Sequence, residues 1–139
     1  MQTDASRLED RLGPLEPPYK SRGEAQIGRL LDRYGIPFFY EQPTLVYDAG
    51  RHHIWRPDFT LPTYGGLIVE CAGAPSAPGP EYRELLQHKA AVYEANAIPA
   101  IFILQDDMAE PGWPRMIAGP LDKYRSQRYS PAEYGIRLP

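Results

Sequence analysis

The stretch from Arg56 to Gly73, RPDFTLPTYGGLIVECAG, constrains the fold more than any other part of the chain. Two short apolar runs flank Tyr64-Gly65-Gly66, and each run carries one acid. Aromatic and β-branched residues on both sides of a Gly-rich turn predict an antiparallel hairpin. A turn centred near Tyr64 pairs Phe59 with Val69 and Leu61 with Leu67, which sets Asp58 opposite Glu70 on one face. Like charges opposed in this way, with Cβ atoms roughly 4.5–5.5 Å apart, destabilise a hairpin. A divalent cation held by oxygen ligands is the compensation that also does chemistry. Two bland readings stand beside this one: acids that point to water, or a register shifted by one residue that sends them to opposite faces.

A chain of 139 residues holds one domain with a single hydrophobic core. Composition, at 42% hydrophobic and 24% charged, is that of a soluble globular protein, and 16 prolines force many turns. A lone cysteine, Cys71, excludes an intramolecular disulfide. The opening MQTDASRLEDRLG has no apolar run resembling a signal peptide, and no segment is long enough to span a bilayer, so the expected compartment is the cytoplasm. A formal charge of -3 provides no global basic field for nucleic acid, which leaves a local basic strip, a metal ion or a partner for that task.

Along the chain, residues 1–20 read as a loose N-terminal arm, broken by Pro17 and Pro18 and docked by Leu15 and Tyr19. Ser21 and Glu24 have capping-box spacing, and Ile27, Leu30, Leu31 and Tyr34 recur at helical intervals, predicting a helix over about residues 22–34. Three or four antiparallel strands follow, punctuated by Asp48-Ala49-Gly50 and Tyr64-Gly65-Gly66. EYRELLQHKAAVYEANA returns to helical period, and IPAIFIL suits a buried strand. The core thus spans residues 21–104 in the order αβββαβ, an α/β sandwich with a central mixed sheet, and residues 105–139 read as a peripheral C-terminal extension of the same domain.

Lys89 falls within the second helix's apolar stripe of Tyr82, Leu85, Leu86, Val92 and Tyr93. A cation there needs a partner, either a carboxylate on the sheet or solvent reached by snorkelling. Two readings also stand for Glu24, a capping residue or an acid bordering the site. His52 and His53 are adjacent on a strand and point to opposite faces, so they form no simple ligand pair. Cys71 reads as a small core residue facing away from Glu70. Lys123, Arg125 and Arg128 interleave with Tyr124 and Tyr129, a pattern that can hold a phosphate backbone and stack a base, although a solvated face is the preferred reading.

RPDF, then a strand ending IVECAG, preceded by a helix with Glu24 and followed by one with YRELLQHKAAVY, resembles the PD-(D/E)XK, or restriction-endonuclease-like, nuclease superfamily over about residues 21–104. The resemblance implies that Asp58 and Glu70 bind Mg²⁺ or Mn²⁺, that the backbone carbonyl of Cys71 is a further ligand, and that Glu24 orients a water. Where the family's pattern has lysine two residues after the glutamate, this chain has Ala72; Lys89 occupies the place of a lysine migrated to the next helix, and Gln87 is a poorer candidate. The expected function is metal-dependent endonuclease or exonuclease cleavage of DNA. The alternative is an inactive nuclease-fold module that binds nucleic acid or a protein partner, and an unrelated α/β fold with solvent-facing acids is a third reading. Cutting two strands needs two sites, which makes a homodimer or a larger assembly an expectation.

Overall fold

The computed structural model describes residues 18–73 and 79–125. Helix α1 (Arg22–Arg33) starts at Ser21, which sits in extended backbone and whose hydroxyl accepts the Glu24 N–H at 3.1 Å. This cap satisfies one of the N–H groups that a helix start leaves orphaned. Ile27 and Leu31, one turn apart, are fully buried, and burial of each contributes about 1.5–3 kcal/mol. Tyr34, expected in the same stripe, instead caps the helix and is 67% exposed.

Strands β1 (Phe39–Tyr40), β2 (Thr44–Asp48), β3 (Arg51–Trp55), β4 (Phe59–Leu61) and β5 (Leu67–Ala72) follow, then α2 (Pro80–Ala95), β6 (Ala100–Leu104), a 3₁₀ turn at Gln105–Ala109 and α3 (Arg115–Arg125). The main sheet has the order β1-β4-β5-β6. Its first two pairings are antiparallel and β5·β6 is parallel. A parallel pair needs a long crossover, which α2 supplies. The chain is therefore a mixed α/β fold around a mixed sheet.

β2 and β3 depart from the expected strand run. They form a separate two-stranded sheet, closed by a turn in which Ala49 and Gly50 both have positive φ. Their inner residues Val46 and Trp55 pack onto Ile68 of β5 and onto Val92 and Tyr93 of α2. The hairpin thus covers the main sheet instead of widening it.

Alternation along β5 divides the core into two layers. Leu67 and Val69 join Ile27, Leu31, Phe59, Leu61 and Ile103, while Ile68 faces α2 and the β2–β3 hairpin. Of the stretch read as a peripheral extension, residues 105–125 are not peripheral, because Met108, Ile117 and Leu121 are buried in the first layer, and residues 126–139 lie outside the described residues. One short helix is expected among the prolines at 111, 114 and 120, and α3 is that helix, with Ile117 and Leu121 one turn apart. α2 is corrected too: Val92 and Tyr93 are buried, but Leu85 is 54% exposed. Of the N-terminal arm, Tyr19 packs against the main core, edge-on to Tyr40 at 5.1 Å, and Leu15 lies outside the described residues. Among the described residues no helix is long and apolar enough to cross a membrane.

Candidate active site

The site begins with the turn that sets the hairpin register. One 3₁₀ turn (Pro62–Tyr64) leads into Gly65 and Gly66 at φ 70° and 76°, the left-handed region that side chains disfavour. The register is Phe59↔Val69, Thr60↔Ile68 and Leu61↔Leu67, as the spacing predicts. Just beyond this ladder the two acids interlock through the opposite backbone. The Asp58 N–H donates to Glu70 Oε1 at 3.1 Å, and the Cys71 N–H donates to Asp58 Oδ2 at 2.7 Å. The bland alternatives for these acids, a slipped register and a solvent-facing pair, are not what the chain adopts.

Glu70 is only 5% exposed. Its Oε2 accepts from Lys89 Nζ at 2.6 Å and from the Tyr93 hydroxyl at 3.1 Å. Lys89 is half-buried and turns inward to this carboxylate, so the snorkelling reading gives way. A buried charge so paired and hydrogen-bonded avoids most of its desolvation penalty. Tyr93 follows Lys89 by one helical turn, which places both on one face of α2.

Glu24 is buried in the first turn of α1. The Tyr40 hydroxyl donates to its Oε1, and the Ser21 hydroxyl lies 3.2 Å from its Oε2. Capping and site-facing roles therefore coexist in one residue. Gly23, immediately before it, permits the approach: a Cβ there would lie 2.6 Å from Cys71 Sγ. Only a residue without a Cβ lets α1 come this close to β5.

Electrostatics tie these groups together. Burial pushes the Asp58 carboxyl up to about 6, against the Cys71 N–H, which favours the charged form; Glu70 and Glu24 raise it further. Burial is also the main cause that lifts the Tyr93 and Tyr40 phenols, with Glu70 and Glu24 respectively adding to it. The Cys71 thiol is raised to about 11 by burial and then by Asp58, so it is no nucleophile near neutral pH.

Among the described residues, no three His, Cys, Asp or Glu side chains are arranged as a metal cluster. What the site offers is narrower: two interlocked carboxylates, with a third whose charge acts on Asp58. Asp58 Oδ1 accepts no hydrogen bond from the described residues, whereas both oxygens of Glu70 and of Glu24 are engaged. An all-oxygen set with one unengaged carboxylate oxygen suits a hard cation that keeps part of its water shell, such as Mg²⁺ or Mn²⁺.

Other sequence candidates stand apart. His52 is exposed, and His53 makes a 3.2 Å contact with the Asp48 carbonyl inside its own hairpin. Gln87 is exposed on α2. Tyr124 packs against the main core beneath Lys123, whose Nζ lies 5.3 Å from the ring centroid, so it is no open stacking platform. Arg128, Tyr129 and the Arg125 side chain lie outside the described residues.

Sequence reasoning missed the two tyrosines that hold the acids. Tyr93 was legible only as part of an apolar stripe, although its i+4 spacing from Lys89 was a usable signal. Tyr40 gave none, since its place beside Glu24 depends on the pairing of β1 with β4. No protein-family model matches the chain, and neither does any curated protein or any solved structure.

Proposed function

We propose that the protein is a divalent-metal-dependent phosphodiesterase acting on DNA, with a restriction-endonuclease-like core. The observation that carries this reading is the interlock of Asp58 with Glu70 beneath Lys89. The element order supports it: with the β2–β3 hairpin set aside as an insertion, α1, β1, β4, β5, α2 and β6 follow the sequence αβββαβ around a mixed sheet.

Asp58 and Glu70 would hold Mg²⁺ or Mn²⁺, with the Cys71 carbonyl as the further ligand that the resemblance implies. When bound, the cation supplies Lewis-acid polarisation of the phosphoryl group and acidifies water toward neutral pH. Lys89 places a fixed positive charge where negative charge grows on the phosphate. Tyr93 and Lys89 together keep Glu70 in one rotamer, and Tyr40 does the same for Glu24. Glu24, so oriented, would orient the attacking water, the role that the resemblance implies for it.

Lys89→Met tests this most cheaply. The variant is expected to fold and to lose DNA cleavage in Mn²⁺ by about 100-fold or more, and cleavage at the parent rate would contradict the reading. A second reading, a nuclease-fold module without turnover, is favoured by Ala72 at the position of the family's lysine. A rise in Tm on adding Mn²⁺ separates them, since a ligand that binds only the folded state stabilises it.

A further inference from the structure

Beside Glu70 and Lys89 lies an open cleft of about 550 Å³ between the β2–β3 hairpin and α2. This falls within the range of about 300–1,000 Å³ typical of small-ligand sites. Its walls are apolar. Ile54 and Leu85, from opposite sides, are 60% and 54% exposed, and Pro57 and Trp55 complete them. Trp55 packs edge-on against Tyr93 at 5.4 Å and keeps part of its surface on the cleft. Besides Glu70, its polar lining consists of the cations Arg56 and Lys89 and of His88. Arg56 is exposed, with one guanidinium nitrogen 3.5 Å from the Glu41 carbonyl, and His88 lies 2.8 Å from Asp48 Oδ2.

From this arrangement we infer that the cleft receives an unpaired nucleobase, so that the substrate is single-stranded or carries an extruded nucleotide next to the scissile phosphate. The inference rests on the phosphodiesterase reading, which fixes a phosphate at Asp58 and Glu70 and so puts the adjoining nucleoside beside them. A base inside a duplex has its faces covered by its neighbours and cannot enter a walled cleft without leaving the stack. An aromatic ring with aliphatic walls gives a base a stacking surface, and the rim cations meet its phosphates. The exposure of Leu85, an anomaly for an apolar helical position, then has a cause: its partner is the substrate.

The test is binding of a fluorescein-labelled single-stranded DNA 12-mer and of its duplex, by anisotropy in Ca²⁺, with Mn²⁺ uptake measured in parallel. The parent is expected to bind the single strand at least tenfold tighter than the duplex. Trp55→Ala should lose on the order of tenfold in single-strand affinity. Because Trp55 also supports a core layer, the Ile54→Ser/Leu85→Ser double variant, altered only at exposed positions, should lose affinity likewise. Equal binding of both forms, or wild-type affinity in the double variant, would overturn the inference while leaving Mn²⁺ uptake, and with it the metal site, intact. A parent that takes up no Mn²⁺ yet prefers the single strand would uphold the cleft and remove the catalytic reading; loss of both removes both.

Discussion

Asp58 makes stability depend on pH in the acid range at the residue scale. Its carboxyl titrates at about 6 in the fold against an ordinary 3.8, because burial and two neighbouring acids disfavour its charge. In chelator, the unfolded chain ionises it first as pH rises, so folded stability is fullest below about 3.8 and falls until about pH 6. Asp58→Asn keeps an acceptor for the Cys71 N–H and removes the charge. Its Tm in chelator should exceed the parent's at pH 7.5, with the advantage vanishing near pH 4; thermal curves that stay parallel across this range would contradict the account. Added Mn²⁺ should reverse the order at pH 7.5 by stabilising the parent alone. Asp58, Glu70 and Lys89 were legible in the sequence because each breaks a pattern: an acid on each half of an apolar hairpin, a cation in an apolar stripe. Tyr40 and Tyr93 break none, since a buried aromatic ring and a hydrogen-bonding phenol are the same letter.

Elements meet at two contacts that substitutions can probe. Gly23→Ala should favour α1 by about 1 kcal/mol through helix propensity. The new Cβ would nevertheless lie 2.6 Å from Cys71 Sγ, and overpacking of this kind costs about 1–3 kcal/mol. A net loss of stability, largely recovered in Gly23→Ala/Cys71→Ala, is the expected result of a denaturant series; a Gly23→Ala protein more stable than the parent would show that α1 does not press on β5. At the other face, Asn96 clamps the hairpin to the end of α2. Its Oδ1 accepts the Tyr47 N–H at 2.8 Å, and its Nδ2 donates to the carbonyls of Tyr47 and Val92 at 3.0 and 2.7 Å. Asn96→Ala should therefore speed amide exchange throughout β2 and β3 more than in β5, and uniform exchange would count against a separately docked hairpin. The central hairpin was legible because its turn chemistry and period-2 alternation agree. The docking of β2–β3 was not, since a strand's pattern says which face is buried and not against what. The prolines left α3 legible only as one short helix, not as part of the core; the local penalty of Pro120 is outweighed by the burial of Ile117 and Leu121.

For the whole molecule, a formal charge of -3 sets the terms on which any phosphate backbone can be held. Three acids converge where the proposed scissile group would lie, so binding must draw on a cation and on local positive groups such as Lys89 and Arg56. Affinity for DNA should accordingly depend on divalent cation as well as on salt, and a fluorescence titration that gives equal affinity in chelator and in Ca²⁺ would contradict that requirement. The mixed α/β class could be anticipated because each helix and strand carries its own periodicity, but the expected αβββαβ order is not the observed one, since five strands stand between α1 and α2 and two of them form a separate sheet. The measurement that bears most directly on the central claim is calorimetric titration of Mn²⁺ into the parent and into Asp58→Ala. The account predicts saturable binding by the parent that Asp58→Ala abolishes. No binding by either protein, with both folded, would contradict it and leave Lys89 as a structural counter-ion to a buried acid pair.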